Sequence, residues 1–123
     1  MLLSSASDAF SDITLIKNYL TKLTKTNTPR SFENISQLNA VASYIESIFS
    51  IYADSAQNQE YKVQSTTHKN IICSFGTENK KRIFIGADYD VCGNQQGADD
   101  NATGIAGLLE LARIRKGQKL QYE

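Results

Sequence analysis

The sequence has few cysteines and no excess charge of either sign. Its two cysteines, Cys73 and Cys92, are too few for the disulfide framework of a small secreted domain and do not form a C-x-x-C pair. We therefore expect two reduced thiols. Thirteen basic side chains balance thirteen acidic ones. This balance gives no electrostatic reason to expect nucleic acid or a membrane surface as a partner.

Long apolar runs are also missing. No run approaches the ~20 residues of a membrane span. The start, residues 1–10, has neither a basic segment nor the apolar core of a signal peptide. As the chain is written, we expect a soluble, cytoplasmic protein. Its 123 residues, 41% of them hydrophobic, are enough for one domain with a core.

Two amphipathic helices are predicted in the first half of the chain. Apolar residues recur at helical spacing from Ile13 to Leu23 after the capping candidate Asp12, and we expect this helix to end near Thr26. A connection around the only proline, Pro29, follows. A second helix is then predicted with a cap at Asn34, a reciprocating Gln37 and an apolar stripe: Leu38, Val41, Ala42, Ile45, Ile48, Phe49 and Tyr52.

Three strands are predicted in the middle of the chain. Residues 61–64 alternate between apolar and polar after a polar stretch at 54–59, and the run 71–75 suits a sheet interior. The only histidine, His68, is interpreted as a surface turn residue between these two strands. A third strand is predicted at 82–87, where three adjacent apolar residues indicate burial on both faces.

An acidic segment connects the third predicted strand to a third predicted helix. Residues 88–101 contain four acidic side chains and no basic one: Asp88, Asp90, Asp99 and Asp100. The helix is predicted from about Ala102 to Ile114, with Gly104 and Gly107 allowing close approach to the sheet and Glu110 exposed to solvent. Helices and strands in this order predict an α/β fold.

The acidic segment has two interpretations. Ligands of open α/β sheets bind beyond the carboxyl ends of strands, and carboxylates that repel one another are commonly neutralised by a cation such as Zn, Mg, Mn or Ca. Alternatively, residues 99–101 form a turn that caps the following helix, because Asp and Asn are favoured at that position. Spacing alone favours the cap.

The acidic segment and its flanks also resemble a known family. They read Ile83-Phe-Ile-Gly-Ala-Asp-Tyr-Asp-Val-Cys-Gly and, further on, Gln96-Gly-Ala-Asp-Asp-Asn-Ala-Thr-Gly-Ile-Ala-Gly-Leu-Leu-Glu-Leu-Ala-Arg. These stretches resemble the first metal-ligand segment of the zinc aminopeptidases, a family that includes bacterial leucyl aminopeptidases, glutamate carboxypeptidase and glutaminyl cyclase. The Pro29-Arg30 connection, the second helix and the Asn70-Ile71-Ile72 strand resemble the family's usual lead-in.

The resemblance implies a fold and a set of site residues. The fold would be part of a three-layer αβα zinc-exopeptidase fold, a mixed sheet with flanking helices, and residues 1–123 would be a single incomplete N-terminal portion of the catalytic domain that stops after the third helix. Asp100 matches the aspartate that bridges two zinc ions, and its peptide bond to Asn101 matches one that is often cis. Asp90 matches an aspartate that orients a histidine ligand, and Asp99 and Asn101 lie in the same surrounding shell.

The sequence departs from the family pattern in two places. Asp88 stands where the family has that histidine ligand, although aspartate can also ligate zinc, at ~2.0 to 2.2 Å. The chain also stops at Glu123, before the family's general-base glutamate and remaining ligands. No catalytic residue is therefore assigned within this chain, whose predicted metal ligands are Asp100 and Asp88.

For the complete enzyme the resemblance implies hydrolysis of N-terminal peptide bonds, with a peptide substrate and one or two zinc ions, and a chain that is inactive alone. One alternative is a glutaminyl cyclase-like acyltransferase, whose single zinc would better tolerate the loss of the histidine at position 88. Another is a non-catalytic remnant that binds a partner or nothing. If the apolar third strand lies at an exposed sheet edge, self-association is also expected.

Overall fold

The computed structural model describes residues 10–76, 78 and 80–118. This part of the chain is α/β, which confirms the predicted class. None of its helices has an apolar stretch long enough to cross a membrane. Its longer helices and strands, in chain order, are α1 (Ile13–Thr24), α2 (Ile35–Tyr52), β1 (Ser55–Val63), β2 (Thr66–Ser74) and α3 (Thr103–Arg115).

The first helix begins as the sequence predicts. The carboxylate of Asp12 accepts hydrogen bonds from the main-chain N–H groups of Thr14, at 2.9 Å, and Leu15, at 3.1 Å. It therefore satisfies two of the N–H groups that a helix start leaves without partners. The helix ends at Thr24, two residues before the predicted Thr26. Its inward face buries Tyr19 and Leu23.

The second helix has the predicted buried stripe but not the predicted cap. Leu38, Val41, Ala42, Ile45 and Phe49 are buried. A single 3₁₀ turn, Phe32–Asn34, precedes the helix. The side chain of Asn34 makes no capping hydrogen bond; its amide donates to the hydroxyl of Ser31 at 3.2 Å. The predicted capping box is therefore wrong, because the 3₁₀ turn directs this side chain backwards along the chain.

The two strands form an antiparallel hairpin. The register pairs Ser55 with Ser74 and Val63 with Thr66, and Gln64 in the connecting turn has a positive φ of 56°. This turn conformation matches the twist of the flanking strands. The strand β1 begins at Ser55, before the predicted strand at 61–64, and takes in most of the polar stretch 54–59. The first half of the strand was missed because its side chains face solvent, so it carries no apolar alternation.

His68 was also misplaced by the sequence analysis. It lies in β2 opposite Tyr61, not in a surface turn. The two rings stack with their centroids 5.7 Å apart. This cross-strand aromatic contact accounts for the position of His68 in the hairpin.

The predicted third strand is not a strand in the described part of the chain. Residues 82–90 have no regular secondary structure, and Ile83, Phe84 and Ile85 are 62%, 87% and 64% exposed. A strand requires a neighbour that supplies main-chain hydrogen bonds, and among the residues that the structure describes β1 and β2 pair only with each other. The exposed apolar segment instead lines a groove of about 1340 Å³ together with β2 and α3.

The core lies where the three helices meet. It is formed by Tyr19, Leu23, Val41, Ile45, Phe49, Ala102, Ile105, Ala106, Leu109 and Ala112. Side chains of β2, including Ile71 and Cys73, pack against this cluster. The two glycines of α3 do not act as predicted. A side chain at Gly104 would collide with Asn101, at 2.3 Å, and Gly107 faces open space, so neither marks a close approach to the sheet.

Glu110 was predicted to be exposed to solvent, and this prediction is wrong. Its side chain is buried, with 3% of the residue exposed. Its Oε1 accepts from the main-chain N–H of Asp12 at 2.6 Å and from Arg113 Nη2 at 2.9 Å. Arg113 also donates to the main-chain carbonyl of Phe10 at 2.7 Å. Glu110 and Arg113 therefore attach the start of α1 to α3.

We predict that Glu110→Gln lowers the free energy of unfolding by about 2 kcal/mol at neutral pH, because hydrogen bonds to a charged group are lost. The hydrogen bond from Arg113, together with the bond from the Asp12 main chain, lowers the pKa of Glu110 below its ordinary value of 4.5, against the opposing effect of burial. A lowered folded-state pKa contributes stability above 4.5, and this contribution is lost as the pH falls through the folded-state pKa. Urea unfolding across this acidic range measures it, with the exposed Glu33→Gln as control. A Glu110→Gln deficit that stays the same at every pH would contradict the assignment.

Candidate metal-ligand segment

The acidic residues lie on two short stretches that meet at one hydrogen bond. Asp88 follows the exposed apolar segment, and Asp99 and Asp100 precede α3. The side-chain amide of Asn101 donates from Nδ2 to Oδ1 of Asp88 at 2.9 Å. Asp88, which stands where the resembled family has a histidine ligand, therefore lies beside Asn101, the residue that follows Asp100. All four aspartates of the segment, including Asp90, are exposed.

Asn101 also accepts the hydrogen bond that starts α3. Its Oδ1 accepts from the main-chain N–H of Gly104 at 3.1 Å, while its Nδ2 donates to Asp88. Because Nδ2 must donate to Asp88 and Oδ1 must accept from Gly104, the two hydrogen bonds fix the orientation of the Asn101 amide. Gly104 is small enough to leave room for it, since a Cβ there would lie 2.3 Å from Oδ1.

The capping interpretation of residues 99–101 therefore applies to Asn101. The main-chain carbonyl of Asp99 accepts from the hydroxyl of Thr103 at 3.3 Å. The side-chain carboxylates of Asp99 and Asp100 receive no hydrogen bond from any described residue. Neither carboxylate serves as the helix cap in this part of the structure.

The turn that carries these residues has an irregular backbone. Ala98–Ala102 form a wide turn, closed by a hydrogen bond of 3.0 Å from the N–H of Ala102 to the carbonyl of Gly97. Asp100 and Asn101 depart from helical φ and ψ within it. The Asp100–Asn101 peptide bond is cis, as the resemblance implies.

Arg30 holds the loop between the two acidic stretches. Its Nε donates to the carbonyl of Tyr89 at 2.8 Å and its Nη2 to the carbonyl of Gly97 at 2.8 Å. Its Nη1 donates to the carbonyls of Leu23, at 2.9 Å, and Gln96. The main-chain carbonyl of Arg30 accepts from the N–H of Val91 at 3.1 Å.

Sequence reasoning missed this role of Arg30. Arg30 was predicted only to lie in the connection between two helices. Its position beside the only proline of the sequence was the available signal. Burial lowers the pKa of the guanidinium, while the negative charges of Asp90 and Asp88 act in the opposite direction. Asp90 therefore acts on Arg30 through its charge, with no direct hydrogen bond between them among the described residues.

Two further groups border the segment. The hydroxyl of Tyr89 donates to the carbonyl of Lys69 at 2.7 Å and ties the loop to β2. Cys92 is exposed, and Cys73 is partly buried. Burial raises the pKa of Cys73 to about 11, so its thiol is protonated at neutral pH and is suited to packing.

The described acidic segment carries side chains of a type that can bind zinc. Carboxylate oxygens of Asp88 and Asp100 suit zinc, but a catalytic zinc generally requires three protein ligands. Within residues 10–76, 78 and 80–118, no group of three or more His, Cys, Asp or Glu side chains is placed to hold a metal ion. These residues therefore fit zinc as contributors to a site, and do not complete it.

Comparison with known proteins identifies this same segment. Residues 70–123 match Peptidase family M28. The matched range contains the end of β2, the acidic segment and α3. M28 peptidases are generally zinc-dependent.

The chain is also similar to a longer bacterial protein. It is 40% identical over 100 residues to the uncharacterized protein YfbL of Escherichia coli (strain K12). The alignment covers 75% of this chain and 31% of YfbL, so the chain spans about a third of that relative. No solved structure matches the chain.

Proposed function

We propose that this chain supplies the first metal-ligand segment of a zinc-dependent exopeptidase that hydrolyses N-terminal peptide bonds. The hydrogen bond of 2.9 Å between Asn101 and Asp88 is the observation that carries the proposal. It joins the end of the apolar segment to the turn before α3, the two places from which the predicted ligands come. The match of residues 70–123 to an M28 peptidase supports the same reading.

The charges of the segment support a cation as its partner. No described lysine or arginine forms an ion pair with Asp88, Asp90, Asp99 or Asp100. The charge of Arg30 acts on Asp90 and Asp88 without an ion pair. Neighbouring carboxylates that no ion pair neutralises repel one another, and a bound cation removes that cost. Oxygen ligands of this kind suit zinc and also harder divalent ions.

In this proposal Asp100 and Asp88 are the metal ligands of the chain. Asn101 orients Asp88 through its amide, and Asp90 places a further negative charge beside Arg30. When bound, zinc polarises a substrate carbonyl and makes water a stronger nucleophile at neutral pH. We assign no proton-transfer role to any residue of this chain, so the chain alone is expected to be inactive.

A metal-removal experiment tests the proposed function. The protein, expressed at the length its gene encodes, would be stripped with a chelator and titrated with Zn²⁺ by calorimetry, with Mn²⁺ and Mg²⁺ as parallel titrants. Release of p-nitroaniline from aminoacyl p-nitroanilides would be followed at each step. We expect activity to disappear with the metal, to return with stoichiometric zinc, and to be absent on N-acetylated substrates because an exopeptidase requires the free amino group.

Other outcomes separate the alternatives. Cyclisation of N-terminal glutaminyl peptides without hydrolysis of aminoacyl amides would favour the acyltransferase. Hydrolysis that persists at full rate in metal-free protein would contradict the proposal. The absence of both metal binding and turnover would favour a non-catalytic remnant.

A further inference from the structure

Arg30 is a buried cation whose direct partners are main-chain carbonyls. It is 1% exposed, and four of its hydrogen bonds go to carbonyl oxygens of Tyr89, Leu23, Gln96 and Gly97. A buried arginine is usually paired with a carboxylate. Here no carboxylate lies within ion-pair distance of it among the described residues.

The bonds of Arg30 link the two ends of one loop. The carbonyl of Tyr89 lies between Asp88 and Asp90, and the carbonyls of Gln96 and Gly97 directly precede the turn that bears Asp100. A guanidinium is planar and presents its donors in a fixed arrangement. The single side chain of Arg30 therefore sets how far the first acidic stretch lies from the second.

The same side chain anchors the loop on the helical core. Leu23, whose carbonyl accepts from Nη1, is fully buried in the last turn of α1. Carbonyls at the end of a helix have no partner within the helix, and a positive charge is favoured there. The loop is thus held relative to α1 and not merely closed on itself.

We infer that Arg30 is a positioning residue for the metal-binding carboxylates, an inference that rests on the proposed function. Exposed carboxylates that repel one another must be brought together when a metal binds unless the backbone already holds them. Arg30 holds that backbone through carbonyl groups and leaves the carboxylates of Asp88 and Asp100 available as ligands. Its effect on metal affinity therefore acts through the geometry of the loop.

The test compares Arg30→Met and Arg30→Lys with the exposed Arg115→Met, each in the protein at the length its gene encodes. Two amides report on the loop directly: the N–H of Val91 bonds to the carbonyl of Arg30, and the N–H of Ala102 bonds to the carbonyl of Gly97. Amides at the centre of α2, such as those of Ala42 and Ile45, report on the whole fold. Hydrogen exchange at both sets and the zinc dissociation constant would be measured for every variant.

We expect Arg30→Met to speed exchange at Val91 and Ala102 by about 10- to 100-fold relative to α2, since hydrogen bonds to a charged group are lost. Zinc affinity should fall by about 10- to 100-fold, the range seen when groups that orient ligands are removed. Arg30→Lys retains the charge but not the planar fork, so it should recover only part of both losses. Arg115→Met should change neither quantity.

Each contrary result has a distinct meaning. Wild-type protein that binds no zinc would overturn the proposed function and the role of Arg30 with it. Wild-type binding that is matched by the Arg30 variants, despite faster exchange of the loop, would overturn the Arg30 inference alone. Exchange that rises equally in the loop and in α2 would reduce Arg30 to a general stabilising residue. Should Arg30→Met fail to fold, Arg30→Lys decides by the same comparisons.

Discussion

Asp100→Asn should remove bound zinc and peptidase activity together in the protein expressed at its full encoded length. The substitution keeps the size of the side chain and removes its charge. Loss of groups that merely orient a metal ligand already costs about 10- to 100-fold in affinity or activity, and loss of a proposed ligand itself should exceed that range. The measurements are metal content after dialysis and hydrolysis of an aminoacyl p-nitroanilide.

Asp99→Asn is the matched control variant for Asp100→Asn. Asp99 is also exposed and lies in the same turn, but its contact with Thr103 uses the main-chain carbonyl, which the substitution retains. We expect a clearly smaller decrease in zinc content and turnover than for Asp100→Asn. Undiminished activity of Asp100→Asn at wild-type zinc content would remove Asp100 from the proposed mechanism.

The helices were predictable because their signals are local. Asp12 is followed by apolar residues at helical spacing, and the cap of α1 and the burial of Leu23 follow from that pattern. The pattern also predicted Ile13 on the buried side, where it is 67% exposed, and it did not include the buried Tyr19. The buried stripe of α2 was identified for the same reason. Capping by Asn34 failed because the preceding 3₁₀ turn could not be read from a single polar residue.

The strands were less predictable because pairing is not local. The exposed side chains of β1 give no periodic signal, and this strand exists because β2 lies beside it. The segment 82–87 shows the reverse case. Its apolar residues suit a sheet interior, but no described strand pairs with it, and Ile83, Phe84 and Ile85 are exposed. The apolar residues of 82–87 therefore indicated a preference for burial, but they could not show whether a neighbouring strand is present to pair with them.

The candidate site was located by resemblance, and its supporting contacts were not. The resemblance singled out Asp100 and Asn101 and implied the cis peptide bond that joins them. The bond from Asn101 to Asp88 joins residues 13 positions apart, and those from Arg30 span up to 67 positions. Contacts of this separation depend on the packed fold, which residue types and spacing do not specify.

Asp88 can act as a ligand while it accepts the bond from Asn101. A carboxylate has two oxygens and about four acceptor positions. Asn101 occupies Oδ1 only, and no described residue donates to the other oxygen. The contact therefore orients the carboxylate and leaves an oxygen for a cation, which is how an aspartate could replace a histidine at this position.

Gly97→Ala should destabilise the protein by about 2 to 5 kcal/mol, because it adds both backbone strain and steric overlap. Gly97 has a φ of 60°, a left-handed conformation that side chains disfavour. A Cβ there would lie 2.2 Å from Val91 Cγ1, 2.5 Å from the carbonyl oxygen of Asp100 and 2.9 Å from Arg30 Nη2. Two of these neighbours, Val91 and Arg30, are buried and have little room to move.

Gly93→Ala separates the two causes, because Gly93 has the same φ of 60° but no atom within 4 Å of an added Cβ. It should show the conformational cost alone, about 1 to 2 kcal/mol. Urea unfolding of both variants gives the difference, and equal losses would contradict the steric argument. Because the carbonyl of Gly97 accepts from both Arg30 and Ala102, displacement of Gly97 should also speed exchange of the Ala102 amide. Gly93→Ala should leave the Ala102 amide protected, since a Cβ added at Gly93 has no atom within 4 Å to displace.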